Sequence, residues 1–110
     1  MSDQKHNDLF TWYQQGDVLI QPIGKIPAEA VKKSGRVLAE GEATGHSHQA
    51  LAPGVLLFTF NRTLYMRVPP GGTSVVHEEH KPVQIPAGDY TIGIVREYDH
   101  FSETTRFVYD

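Results

Sequence analysis

Residues 55–68 read VLLFTFNRTLYMRV. Two apolar and β-branched runs, Val55 to Phe60 and Thr63 to Val68, flank Asn61-Arg62. In the second run Leu64, Met66 and Val68 alternate with Tyr65 and Arg67, the period of a half-buried strand. Pro53-Gly54 turns into the stretch, and Pro69-Pro70-Gly71-Gly72 breaks out of it. The pattern predicts a β-hairpin over 55–68.

The same reading extends in both directions. Upstream, Val18-Leu19-Ile20-Gln21-Pro22-Ile23 reads as a strand, and its proline places it near an edge or a strand end. Arg36 to Glu42 and His46 to Leu51 read as strands separated by Thr44-Gly45. Downstream, Thr73 to Glu79 opens with β-branched residues, and Pro86-Ala87-Gly88-Asp89 is a turn. Asp89 to Tyr98 then sets Tyr90, Ile92 and Ile94 on one face, and Arg106 to Tyr109 is a last strand that closes the sheet. Short strands between Pro/Gly turns predict an all-β fold, an antiparallel β-sandwich or small barrel. At most one short helix is expected, near 27–33, where Pro27 leads Ala28 to Lys33 and Gly35 follows. Residues 1–15 are mostly polar around Phe10, Trp12 and Tyr13 and read as a flexible N-terminal tail, leaving 16–110 as a single β domain. A length of 110 residues suits one domain.

Composition narrows the function. Absence of cysteine excludes thiolate metal sites, cysteine nucleophiles and disulfide frameworks. A net charge of −3, from 10 Lys+Arg against 13 Asp+Glu, argues against a nucleic-acid partner. The run Val55-Leu56-Leu57-Phe58 is too short to span a bilayer, and MSDQKHNDLF lacks the apolar stretch of a signal peptide. Cytoplasm is therefore the expected location, with no membrane partner. Several strands that read as edges invite pairing between copies, so a homo-oligomer is among the expectations.

The chemistry lies in the histidines. His46 and His48 sit in Gly45-His46-Ser47-His48, and His77 and His80 bracket Glu78 and Glu79. Residues i and i+2 of a strand share a face, so His46 and His48 can address one ion. In a continued strand His77 and Glu79 share a face and Glu78 and His80 the other, and a bulge near Lys81-Pro82 would turn His80 toward His77. The candidate metal ligands are thus His46, His48, His77, His80, Glu78 and Glu79. Imidazole and carboxylate donors suit a divalent transition metal, Zn, Ni, Fe or Mn. Glu40 and Glu42 precede the first cluster as a further carboxylate ligand, as partners of an imidazole, or as a solvated strand edge. Thr44, Ser47 and Ser74 lie close in sequence, but no nucleophile motif surrounds them. Arg96 and Tyr98 follow Ile92 and Ile94 on one strand face, His100 reads as exposed, and Gly71-Gly72 lacks the Lys-Ser/Thr of a phosphate loop.

On Gly16-Asp17-Val18-Leu19, Leu38 to Ala43, Thr44-Gly45-His46-Ser47-His48, His77-Glu78-Glu79-His80-Lys81-Pro82, Pro86 to Tyr90 and Arg96 to Asp99, the chain resembles small uncharacterised bacterial and phage-associated all-β proteins. The resemblance covers most of 16–110 and implies a β-rich domain without assigning a reaction. The Pro86-Ala87-Gly88 turn and the His-X-His also resemble cupins at the level of architecture. Unlike a cupin, the chain has no Glu between Gln49 and Val55, and His77 and His80 precede the Pro-X-Gly turn.

These features support a small metal-binding β-protein built on the two His clusters. The alternatives are a structural or interaction module without metal, a metal-free ligand pocket, and a pH-responsive binder, since clustered imidazoles titrate near neutrality. The metal expectation requires the two clusters to meet in space.

Overall fold

The computed structural model describes residues 8–41 and 45–95 in full, and residues 106–109 as backbone. Its strands are β1 (Thr11–Gln15), β2 (Val18–Ile23), β3 (Val31–Lys33), β4 (Val37–Glu40), β5 (Ser47–Ala50), β6 (Leu56–Phe60), β7 (Thr63–Val68), β8 (Thr73–His77), β9 (His80–Ile85), β10 (Gly88–Ile94) and β11 (Arg106–Tyr109). They form two sheets. The larger runs in the order β11-β1-β2-β10-β7-β6-β3 and the smaller β4-β5-β8-β9. Among the described residues all pairings are antiparallel except β1 with β11. The fold is all-β, a sandwich of two sheets, as the turn spacing predicts.

The 55–68 hairpin forms through a two-residue turn. Asn61 and Arg62 take φ of 52° and 64°, the left-handed pair whose twist matches that of the strands it joins. Alternation along the strands sends one face inward. Val18, Ile20, Leu57, Met66 and Tyr90 of the larger sheet meet Leu38, Ala50, Val75, Val83 and Ile85 of the smaller. Burying each large aliphatic side chain contributes about 1.5–3 kcal/mol, so this shared core holds the sheets together. On the outer face Arg67 and Asp89 lie directly opposite and pair through Nε–Oδ1 at 2.9 Å.

Several expectations need correction. Residues 11–15 do not belong to a tail: they form β1, because Tyr13 and Gln15 alternate into the core and Gly16-Asp17 folds the strand back onto β2. No helix forms over 27–33, which the expectation of at most one allows. Residues 28–29 turn, and Val31–Lys33 pairs with β6 as an outer strand, three residues being too few to sustain helical turns. The strand from Thr73 ends at His77 and not at Glu79, because Glu78-Glu79 is the two-residue connection to β9. The strand from Gly88 ends at Ile94. Tyr90 and Ile92 are buried, whereas Ile94 is exposed. Arg106–Tyr109 extends the larger sheet beyond β1 and does not close it. Pro22 stands near the end of β2, where β1 pairs only with Val18 to Ile20 and asks nothing of its missing N–H. Glu42 and Thr44, and likewise Arg96, Tyr98, Asp99 and His100, lie outside the described residues.

Candidate metal centre

The smaller sheet brings the two histidine clusters together. Strand β5 pairs with β8 through Gln49↔Val76 and Ala50↔Val75, which sets His46 and His48 beside His77. Strand β8 pairs with β9 so that His77 faces His80. Val75 faces Val83, so two steps on β8 span three on β9, and the additional residue falls at Lys81-Pro82. That bulge stands where the sequence places it, and Pro82 suits it because it has no N–H to lose from the ladder. Neither Glu78 nor Glu79 takes a positive φ, so the turn lacks the twist of a left-handed hairpin connection, and the bulge absorbs the mismatch.

The four rings form a connected group. Centroids of His48 and His77 are 4.3 Å apart, His77 and His80 4.8 Å, His46 and His77 5.6 Å, and His48 and His80 5.9 Å. Candidate ligand atoms of His46, His77 and Glu78 lie within 4.8 Å of one another. His48 and His80 touch this group by ring contact, but their ligand atoms do not fall within the 4.8 Å set. Glu79 is turned outward, 67% exposed, with Oε2 3.7 Å from His46 Nδ1. Because the chain turns at 78–79, the expected sharing of a face by His77 with Glu79, and by Glu78 with His80, is replaced: His77 faces His80, and Glu78 lies with His46 and His77.

The group opens into a cleft of about 430 Å³ lined by Gly16, Asp17, Glu40, Gly41, Glu79 and the four histidines. Three of these lining residues are carboxylates and none is Lys or Arg. The cleft therefore favours a cation over an anion. Glu78 strengthens this bias. Hydrogen bonds from its own backbone N–H and that of Ser47 hold its carboxyl below the usual range, with His46 and His77 adding to the effect.

Two glycines make room for the rings. A Cβ on Gly16 would stand 2.7 Å from His80 Nε2, and one on Gly41 would stand 2.8 Å from His77 Nε2 and 2.9 Å from His46 Cβ. Gly16 also has φ +56°, as the β1–β2 turn requires. Ser47 Oγ accepts from Gln49 Nε2, and Ser74 Oγ accepts from Gln84 Nε2.

One residue of the site escapes sequence reasoning. Gln15 is fully buried on β1, and its amide reaches across to the smaller sheet. Nε2 donates to the carbonyls of Val75 (2.9 Å) and Lys81 (2.8 Å), and Oε1 stands 2.9 Å from His48 Nδ1. Its one signal in the sequence is the two-residue spacing of 11–15 and 18–23 about Gly16-Asp17, which suits a hairpin although 1–15 as a whole reads as a tail.

Fold and site together define a β-sandwich with a histidine-lined cleft at the meeting of its two sheets. Residues 14–95 match the family model described as Domain of unknown function (DUF8820), and the chain belongs to that family. The matched segment contains all four clustered histidines, Gln15, and both room-making glycines. No curated protein and no solved structure matches the chain.

Proposed function

We propose that this protein binds a divalent transition metal in the cleft, through His46, His77 and Glu78, with His48 and His80 completing the donor set. The observation that carries this reading is the convergence of His46, His77 and Glu78, whose ligand atoms lie within 4.8 Å of one another. Two ligands on one ion stand at most two bond lengths apart, about 4.2 Å for nitrogen or oxygen on zinc. Small side-chain rotations close the difference. The donors are nitrogen and oxygen only, a set that suits Zn, Ni, Fe or Mn. Carboxylates at the mouth add to the attraction for a cation. Glu79, exposed beside His46, stands where it could accept a proton from metal-bound water. A bound ion would supply Lewis acidity and lower the pKa of such a water.

The test is titration of the untagged, metal-free chain with Zn²⁺ and with Co²⁺, the latter followed by its visible absorption. Saturation near one equivalent is expected, with a His46→Ala/His77→Ala variant losing it. Unchanged uptake in that variant would refute the site.

A structural module without metal is the second reading, favoured by the hydrogen bonds that Gln15 sends from β1 into the smaller sheet. On that reading the histidines fill the joint between the sheets, and the wild-type chain takes up no ion.

A further inference from the structure

The Gln15 amide has two N–H donors, and both go to backbone carbonyls, those of Val75 and Lys81. Reversing the amide would press Oε1 against two carbonyl oxygens. Oε1 is therefore fixed as an acceptor. His48 Nδ1, 2.9 Å away, must then carry the hydrogen, and the neutral ring bears its lone pair on Nε2. His77 is set the other way. The Glu79 backbone N–H donates to His77 Nδ1 at 3.0 Å, so the neutral ring carries its hydrogen on Nε2. Two imidazoles with centroids 4.3 Å apart are thus held in opposite tautomers.

We propose that Gln15 is the positioning residue of the site, presetting His48 as a ligand through Nε2. The ligand half of this inference rests on the metal reading, and the tautomer half rests on the Gln15 network alone. A ligating imidazole that gives its other N–H to an oxygen is oriented and made more basic by that bond, and losing such a partner typically weakens metal binding by about 10–100-fold. Gln15 is fully buried and reaches His48 from the opposite sheet, so solvent cannot replace it.

The experiment is a long-range ¹H–¹⁵N spectrum of the histidine rings in the metal-free full chain at about pH 8, above the ordinary imidazole range near 6.5. It is recorded on wild type and Gln15→Met, with Zn²⁺ titrations of both. The expected result is His48 as the Nδ1–H tautomer in wild type, loss of that preference in Gln15→Met, and Zn²⁺ affinity lowered about 10–100-fold. A purely structural Gln15 would leave the tautomer unmoved. An Nε2–H tautomer for His48 in wild type would overturn the proposal, and that spectrum decides even if the variant fails to fold. So would an unchanged His48 spectrum in a folded Gln15→Met. Absence of Zn²⁺ uptake by wild type would overturn the metal reading and with it the ligand role of His48. The tautomer is read separately, from the metal-free spectrum.

Discussion

Gly41→Ala is the most local perturbation of the site that leaves every proposed ligand in place. Gly41 is not in the left-handed region, so alanine brings no backbone strain, and the effect is one of space. The added Cβ would meet His77 Nε2 at 2.8 Å, His46 Cβ at 2.9 Å and the His46 carbonyl oxygen at 3.2 Å. The imidazole tip can swing aside. The other two atoms belong to the first carbon and the backbone of His46, and restoring ordinary contact moves them by about 0.5 Å. That motion strains the bond from Gly41 N–H to the His46 carbonyl, now 2.8 Å. Overpacking costs about 1–3 kcal/mol and a weakened hydrogen bond up to about 1, while replacing glycine returns about 0.4–1 through the unfolded chain. The net expectation is a loss of about 1–3 kcal/mol, or roughly 4–8 °C in Tm per kcal/mol for a domain near this size. Gly93→Ala is the control, because its Cβ meets nothing within 4 Å. Urea unfolding and Zn²⁺ titration of both variants give the comparison. Gly41→Ala is expected to lose stability and metal affinity together, with Gly93→Ala gaining about 0.4–1 kcal/mol in stability and keeping wild-type affinity. A Gly41→Ala protein as stable as wild type, binding Zn²⁺ equally well, would refute the reasoning that packs His46 and His77 against this position.

Metal entry should detach the Glu79 backbone N–H from His77, because that bond uses the Nδ1 lone pair: an ion on Nδ1 replaces the bond, and an ion on Nε2 shifts the hydrogen to Nδ1. Exchange of the Glu79 amide with solvent should quicken on Zn²⁺ saturation, and an unaltered rate would contradict this. In the metal-free chain the Glu78 side-chain carboxyl should titrate below the ordinary glutamate value of about 4.3, followed by its ¹³C shift. Since its folded pKa is depressed, the stabilising bond from the Ser47 N–H is present above the unfolded value and lost as pH falls through the folded one. A midpoint at or above 4.3 would be inconsistent with that bond. Arg62→Gly should stabilise the β6–β7 hairpin by about 1 kcal/mol in urea unfolding, because Arg62 holds φ 64° at the cost of Cβ crowding. A destabilised variant would show that the Arg62 side chain contributes more than its backbone costs.

Legibility in the sequence follows the kind of signal each element carries. The hairpin over 55–68 is readable because alternation and a two-residue turn act over adjacent residues. The His-X-His and His-Glu-Glu-His clusters are readable as chemistry, but their meeting depends on the β5–β8 register, a contact between residues some thirty positions apart. The turn at Glu78-Glu79 carries no Gly, Asn or Asp, so the strand from Thr73 reads on through it. Strand β9 is masked by Lys81-Pro82, where the proline marks a bulge and not an end. Gln15 leaves no trace of its role, since a buried amide that bridges two sheets looks like any polar residue beside a turn.

The central claim is that the cleft holds a metal through histidines drawn from both clusters. The most direct measurement is the metal content of untagged protein by elemental mass spectrometry, before and after incubation with Zn²⁺, Ni²⁺, Fe²⁺ and Mn²⁺ and exhaustive dialysis. About one equivalent of a single transition metal per chain is predicted. It should be absent when His46 and His77 are both replaced by alanine. Wild-type protein that retains no metal under any of these conditions would contradict the account and leave the histidine group as a structural joint between the two sheets.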